Sequence, residues 1–298
     1  MKGDLTDFYT KSVEDYERTF MFLNFNDIDY PGALIVLDRV VSSDPSYKKT
    51  WLLHGLNEPE INGNRTIFKN DTKGFNGKLV NDTIIPYEND TDIKKIKGFV
   101  TNDTEYFASG AVGGVNEGGE WRIDVSPKQL SKENYFLNVL QASDADSEKE
   151  PLNAELIETK THLGVVIKDR VVVLNRSKEK TEDKVEFSFE GMGNYKITVA
   201  DLASGTWSVV RNGNKICDVP VSEEGTVASF TGEPGAYALE FVSSENPKLQ
   251  PKQSNKEQKF EVTIRLNNDY IYTDAEPDNI SGNIMVSATN TFNSVYGK

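Results

Sequence analysis

Two histidines and one cysteine supply all the imidazole and thiol chemistry of this chain. His54 ends the apolar run Thr50-Trp51-Leu52-Leu53 and precedes Gly55, a placement that suits a side chain at a sheet rim. An imidazole there can act as a general base or face a carboxylate. A histidine hydrogen-bonded at a strand end is the simpler reading, so His54 is kept as a candidate and no catalytic residue is assigned. His162, in Lys160-Thr161-His162-Leu163-Gly164, stands where a turn leads into a strand and is expected at the surface. Cys217, being alone, makes neither an intrachain disulfide nor a thiolate metal cluster. The patterns H-E-x-x-H, H-x-H-x-D, G-x-S-x-G and the P-loop are absent.

Oxygen chemistry is plentiful but unspecific. Glycoside hydrolysis needs two carboxyl groups about 5–10 Å apart, and 47 acidic residues offer such pairs everywhere. Asn89-Asp90-Thr91-Asp92 has hard oxygens suited to Ca²⁺, but not the D-x-[DN]-x-[DN]-G spacing, and reads as a solvated turn. The glycine-rich stretch from Gly110 to Gly119 is followed by no helical pattern, so it reads as a mobile loop rather than a phosphate cradle. Asn-x-Thr triplets match glycosylation acceptors and are read as Asx-type turns. Lys94-Lys95-Ile96-Lys97 is the one compact basic cluster; it either touches an acidic substrate or is a solvated turn, and the turn is preferred. Neither a metal site nor a cofactor is expected.

The elements that must carry these residues are strands. Short apolar runs bounded by Asn, Asp, Pro and Gly lie at 18–23, 33–37, 50–54, 121–125, 135–140, 164–167, 170–174, 185–189, 195–199 and 237–241. β-branched and aromatic residues dominate them. Turn signals recur at Asn62-Gly63, Asn76-Gly77, Asn212-Gly213 and the Asn-Asp-Thr triplets starting at 70, 81, 89 and 102. Only Thr10 to Arg18 hints at helix. The expected fold is all-β: a large antiparallel sandwich over 1–150, a smaller β-domain over 151–242, a polar linker over 243–258 with two prolines, and a partial β tail over 259–298.

Composition narrows the partners. The 298 residues carry 33 basic and 47 acidic side chains, a net charge of −14 and a pI near 4.7. That balance disfavours nucleic acid, whose phosphates select clustered Lys and Arg. The longest apolar run, Ala33 to Leu37, is far short of the roughly 18 residues of a membrane span. Residues 1–6 show no hydrophobic leader core and no cleavage site.

Beyond this the chain resembles the heparinase II/III-like polysaccharide lyases. Gly3 to Tyr9, Arg18 to Asn24, Pro31 to Val40 and Lys48-Lys49-Thr50-Trp51-Leu52-Leu53-His54 carry the likeness. It continues in order through Gly77 to Val80, Gly119 to Val125, Tyr135 to Val139, Asp201-Leu202, Gly205-Thr206-Trp207 and Gly235-Ala236-Tyr237. The resemblance implies stacked antiparallel sheets that follow an α-helical toroid, and β-elimination on a uronic-acid-containing, glycosaminoglycan-like polysaccharide. In that reaction a base removes the proton α to the carboxylate, the carboxylate's charge is neutralised, and an acid, typically Tyr, protonates the leaving oxygen. The family's catalytic Tyr and His, and the His-x-His segment that ligates zinc in heparinase II, have no counterpart here, so none is transferred to any position. His54 does coincide with a family histidine.

The resemblance further implies a bacterial, exported protein, extracellular, surface-bound or periplasmic, whose original beginning is missing. Its partners would be an acidic polysaccharide and the missing N-terminal helical domain. The alternative is a non-catalytic carbohydrate-binding or cell-surface module. Thr263 to Ile271, Asp274, Pro277 and Ile284-Met285-Val286 are similar to the start of copper amine oxidase-like N-terminal (stalk) modules.

Overall fold

A computed structural model describes residues 1–71, 74–97, 99–101, 104–106, 120–244, 261–264 and 284–287, with backbone alone for 99–101, 104–106, 261–264 and 284–287. The chain divides into a unit at Met1–Pro247 and a second at Lys248–Lys298. The fold is all-β, and no sheet closes into a barrel.

The first sheet has seven strands: β1 (Lys2–Asp4), β2 (Val13–Asn24), β3 (Gly32–Ser42), β5 (Glu60–Asn62), β6 (Arg65–Asn70), β7 (Gly77–Ile85) and β12 (Glu133–Ser143), in the order β1-β2-β3-β12-β7-β6-β5. A second sheet, β4 (Trp51–Gly55), β11 (Trp121–Pro127) and β8 (Thr91–Lys97), covers part of one face. Trp51, Ile123 and Val125 from it pack on Phe68 and Phe136 of the first. The backbone of β9 (Phe99–Thr101) and β10 (Thr104–Tyr106) forms a separate hairpin.

The other face of the first sheet packs on a third. That sheet comprises β13 (Ala154–Glu158), β14 (His162–Ile167), β15 (Arg170–Asn175), β17 (Tyr195–Val199) and β20 (Ala228–Gly232). The fourth holds β16 (Val185–Phe189), β21 (Gly235–Ser243), β18 (Gly205–Arg211) and β19 (Asn214–Val221). Every residue of β14 and β15 is buried. Alternation explains why. Leu163, Val165, Ile167, Val172 and Leu174 enter the core shared with Ile35, Leu37 and Val139 of the first sheet. Val166, Val171 and Val173 enter the core shared with Phe187, Trp207 and Leu239 of the fourth. A strand covered on both sides reads as a continuous apolar run. The four sheets are therefore stacked layers.

Pairing is antiparallel throughout these four sheets except between β15 and β17, which run parallel because β16 crosses to the fourth sheet between them. Asn212 and Gly213, at φ 50° and 80°, make the tight turn joining β18 and β19.

Several expectations are corrected. Residues 13–18 belong to β2 and are not helical: Tyr16, Arg18, Phe20 and Phe22 fall on one face, Glu17, Thr19, Met21 and Leu23 on the other. Asn81-Asp82-Thr83 is not a turn; it lies inside β7, with Asn81 and Thr83 buried, so Asn81 presents no glycosylation acceptor. Asn76-Gly77 is not a hairpin turn either: Gly77 opens β7, and Asn76 donates from Nδ2 to Asp146 Oδ1 at 2.9 Å.

In the second unit, the backbone of β22 (Glu261–Ile264) pairs antiparallel with β23 (Ile284–Ser287). The linker from 245 onward, the remaining stalk-like positions and the loop at Gly110 to Gly119 lie outside the described residues.

Candidate functional site

The candidate site is the second sheet. Trp51 and Leu53 of β4 turn to the core, so Leu52 and His54 take the opposite face. On β11, Ile123 and Val125 are fully buried, and Arg122 and Asp124 take that same opposite face. Arg122 is paired in register with His54 on one side and Ile96 on the other; Asp124 is paired with Leu52 and Lys94. Arg122 donates from Nε to Asp124 Oδ1 at 2.7 Å and from Nη2 to Oδ2 at 3.2 Å.

Burial, and then the nearby Arg122 guanidinium, lower the His54 pKa, with Asp124 pulling the other way. The imidazole is thus neutral at neutral pH and can accept a proton. The Arg122 guanidinium is held by both oxygens of Asp124, so an ion pair and not an open cation stands beside the imidazole. The strands β4, β8 and β11 contain no tyrosine. Arg122 and Asp124 were not singled out from sequence; the strict alternation of Trp121-Arg122-Ile123-Asp124-Val125 was the signal that could have found them.

The basic cluster is not a turn but part of β8, and alternation splits it. Lys94 lies on the His54 face and pairs with Asp92 at 3.3 Å. Lys95 pairs with Glu58, and Lys97 Nζ sits 5.7 Å from the centroid of the Trp121 ring directly opposite it in register. No single cationic patch results from the three.

His162 is a correction. It is 2% exposed rather than on the surface, at the start of β14. Its Nδ1 lies 2.8 Å from Thr161 Oγ1, its backbone N–H donates to Thr159 Oγ1, and Nε2 has no partner among the described residues. Burial, with Arg176 nearby, pushes its pKa down to about 4. The two histidines therefore stand in different sheets.

Among the described residues, one trio of acidic side chains, Asp4, Asp15 and Glu17, brings its oxygens within 4.8 Å of one another. The Lys178 ammonium already serves it, at 2.6 Å from Asp4, 3.7 Å from Asp15 and 3.8 Å from Glu17. Asp90 and Asp92 belong to no such group; Asp90 closes a single 3-10 turn, and Thr91 donates to the Pro86 carbonyl at 2.8 Å. Cys217 is half-buried on β19 as a free thiol.

Polar contacts tie the two pairs of sheets together. Tyr87 donates to Glu158, which also pairs with Arg176, and Arg176 stacks over Tyr135 at 5.3 Å. Arg170 Nη2 donates to the Asn24 carbonyl at 2.9 Å, and Lys168 pairs with Asp27.

Residues 156–241 match the family described as the heparinase II C-terminal domain. A crystal structure of a heparan sulfate lyase HepC mutant from Pedobacter heparinus is similar at 14% identity and a TM-score of 0.36, covering 57% of this chain. The chain spans 25% of the length of that lyase. No curated protein sequence matches.

Proposed function

We propose that this chain, which carries a heparinase II-type C-terminal domain over residues 156–241, is the β-sheet portion of a polysaccharide lyase. It would act by β-elimination on an acidic, uronic-acid-containing polysaccharide. The family match carries the reading. The domain boundaries that go with it are 1–150 and 151–242; strands up to Ser143 build the first two sheets and the β9–β10 hairpin, and strands from Ala154 to Ser243 the third and fourth. An exported location, extracellular, surface-bound or periplasmic, goes with it too, and no helix among the described residues is long and apolar enough to cross a membrane.

On this reading the chain is inactive by itself. His54 and Arg122 offer a base and a cation, but the three strands that hold them bring no tyrosine, and the guanidinium is already engaged by Asp124. A net charge of −14 also repels a sulfated polyanion and is only partly screened at physiological salt. The cleft's cationic lining and its acid would come from the helical partner. The test is to incubate the purified chain with heparin, heparan sulfate and alginate and follow the ultraviolet absorbance of unsaturated uronate. No increase is expected; a steady increase from pure chain would refute inactivity.

A further inference from the structure

Four uncharged polar side chains lie on one face of the first sheet, among three adjacent strands. Thr66 of β6 stands opposite Asn81 of β7, and Thr83 of β7 stands opposite Asn138 of β12. All are buried, at 0%, 0%, 3% and 0% exposure for Thr66, Asn81, Thr83 and Asn138. Two residues further along β6, and two before Asn138 on β12, Phe68 and Phe136 join the apolar core beneath the second sheet.

Their mutual hydrogen bonds do not close. Thr83 Oγ1 donates to Asn138 Oδ1 at 2.8 Å, which is a good bond. Asn81 Nδ2 reaches Thr83 Oγ1 and Asn138 Oδ1 only at 3.3 and 3.4 Å. Asn81 Oδ1, Asn138 Nδ2 and Thr66 Oγ1 have no partner among the described residues. Turning over either amide changes which of its two atoms is stranded without removing the stranded position. A buried polar atom left without a partner forfeits the hydrogen bond it had with water, so native structures rarely leave three together.

The three atoms make a complementary set. Asn138 Nδ2 donates, Asn81 Oδ1 accepts, and the Thr66 hydroxyl does either. We propose that one ordered water molecule is bound between Thr66, Asn81 and Asn138, accepting from the Asn138 amide, donating to the Asn81 carbonyl and making its third bond to Thr66. Three bonds are what an internal water usually makes. A metal cation does not suit the place, because the set holds no charge and one of its three atoms is an N–H donor.

A high-resolution crystal structure of the full chain tests this, together with water-to-amide magnetisation transfer in solution. Water density within about 2.7–3.2 Å of all three atoms is expected, with cross-peaks from a long-lived water to the Asn81 and Asn138 side-chain amides. The near-isosteric Thr66→Val variant should keep the fold and lose or weaken that density. Three results would overturn the proposal: the two amides paired directly with no density between them, a peak ringed by oxygens alone as for a cation, or undiminished water in Thr66→Val.

Discussion

Arg18 and Asp38 stand directly opposite each other on β2 and β3, joined by two parallel bonds, Nε to Oδ1 at 2.6 Å and Nη2 to Oδ2 at 3.0 Å. Asp38 is 1% exposed, whereas Arg18 keeps access to water along the faces of Tyr16 and Phe20. The pair thus places a carboxylate under the sheet's apolar cover, where Arg18 supplies the opposite charge and Tyr16 and Trp51 lend weaker polar contacts. Removing one partner of a buried pair leaves the other charge uncompensated. Arg18→Met is expected to destabilise the fold by about 3 kcal/mol, read as a lower urea midpoint at unchanged slope. A loss under about 1 kcal/mol would mean that the carboxylate does not depend on Arg18.

Acid sensitivity is expected from His162. Its pKa is about 4 in the fold against an ordinary value near 6.5, so the unfolded chain binds a proton first as pH falls. The stability this neutral imidazole lends is complete above about pH 6.5, declines as pH falls, and is gone near pH 4, a loss of about 3 kcal/mol. Thermal melts of the parent and His162→Gln between pH 4 and 7 should differ in slope, the variant being flatter. Parallel curves would show that other groups govern the acid limb.

Gly164 tests the layered packing. A Cβ there would stand 2.1 Å from the Val172 carbonyl oxygen, and β14 is covered on both faces, so neither strand can yield. Gly164→Ala is expected to cost about 3 kcal/mol or more. Gly77→Ala in β7, where a Cβ meets nothing within 4 Å, should stay within about 0.5 kcal/mol. Equal effects in chemical denaturation would contradict the described packing.

Trp207 is fully buried between the third and fourth sheets, and its Nε1 donates to the Ala203 carbonyl at 2.9 Å. Trp207→Ala should destabilise by about 3–5 kcal/mol; Trp207→Phe keeps most of the volume but strands that carbonyl, and about 1–2 kcal/mol is expected. Fluorescence of the parent should show a blue-shifted tryptophan lost in both variants. A red-shifted difference spectrum would place the indole in water.

The strand-rich class could be read directly from the chain, because alternation and β-branched runs are local properties. Trp121 to Val125 and Val171 to Leu174 announced themselves by residue type alone. The scarcity of imidazole and the absence of hydrolase motifs were equally plain, as was the strong negative charge. Which face each residue would meet was not, since a period of two says only that neighbours point apart. Asn81 and Thr83 look like turn residues, yet the core of the first sheet closes over them; His162 looks exposed, yet lies in a strand packed on both sides. Lys94, Lys95 and Lys97 look like one patch, and the pleat divides them. Arg122 comes beside His54 only because β11 and β4, more than sixty residues apart, pair in that register. Burial and cross-strand partners are set by the layers above and below a strand, and those layers come from distant stretches of chain.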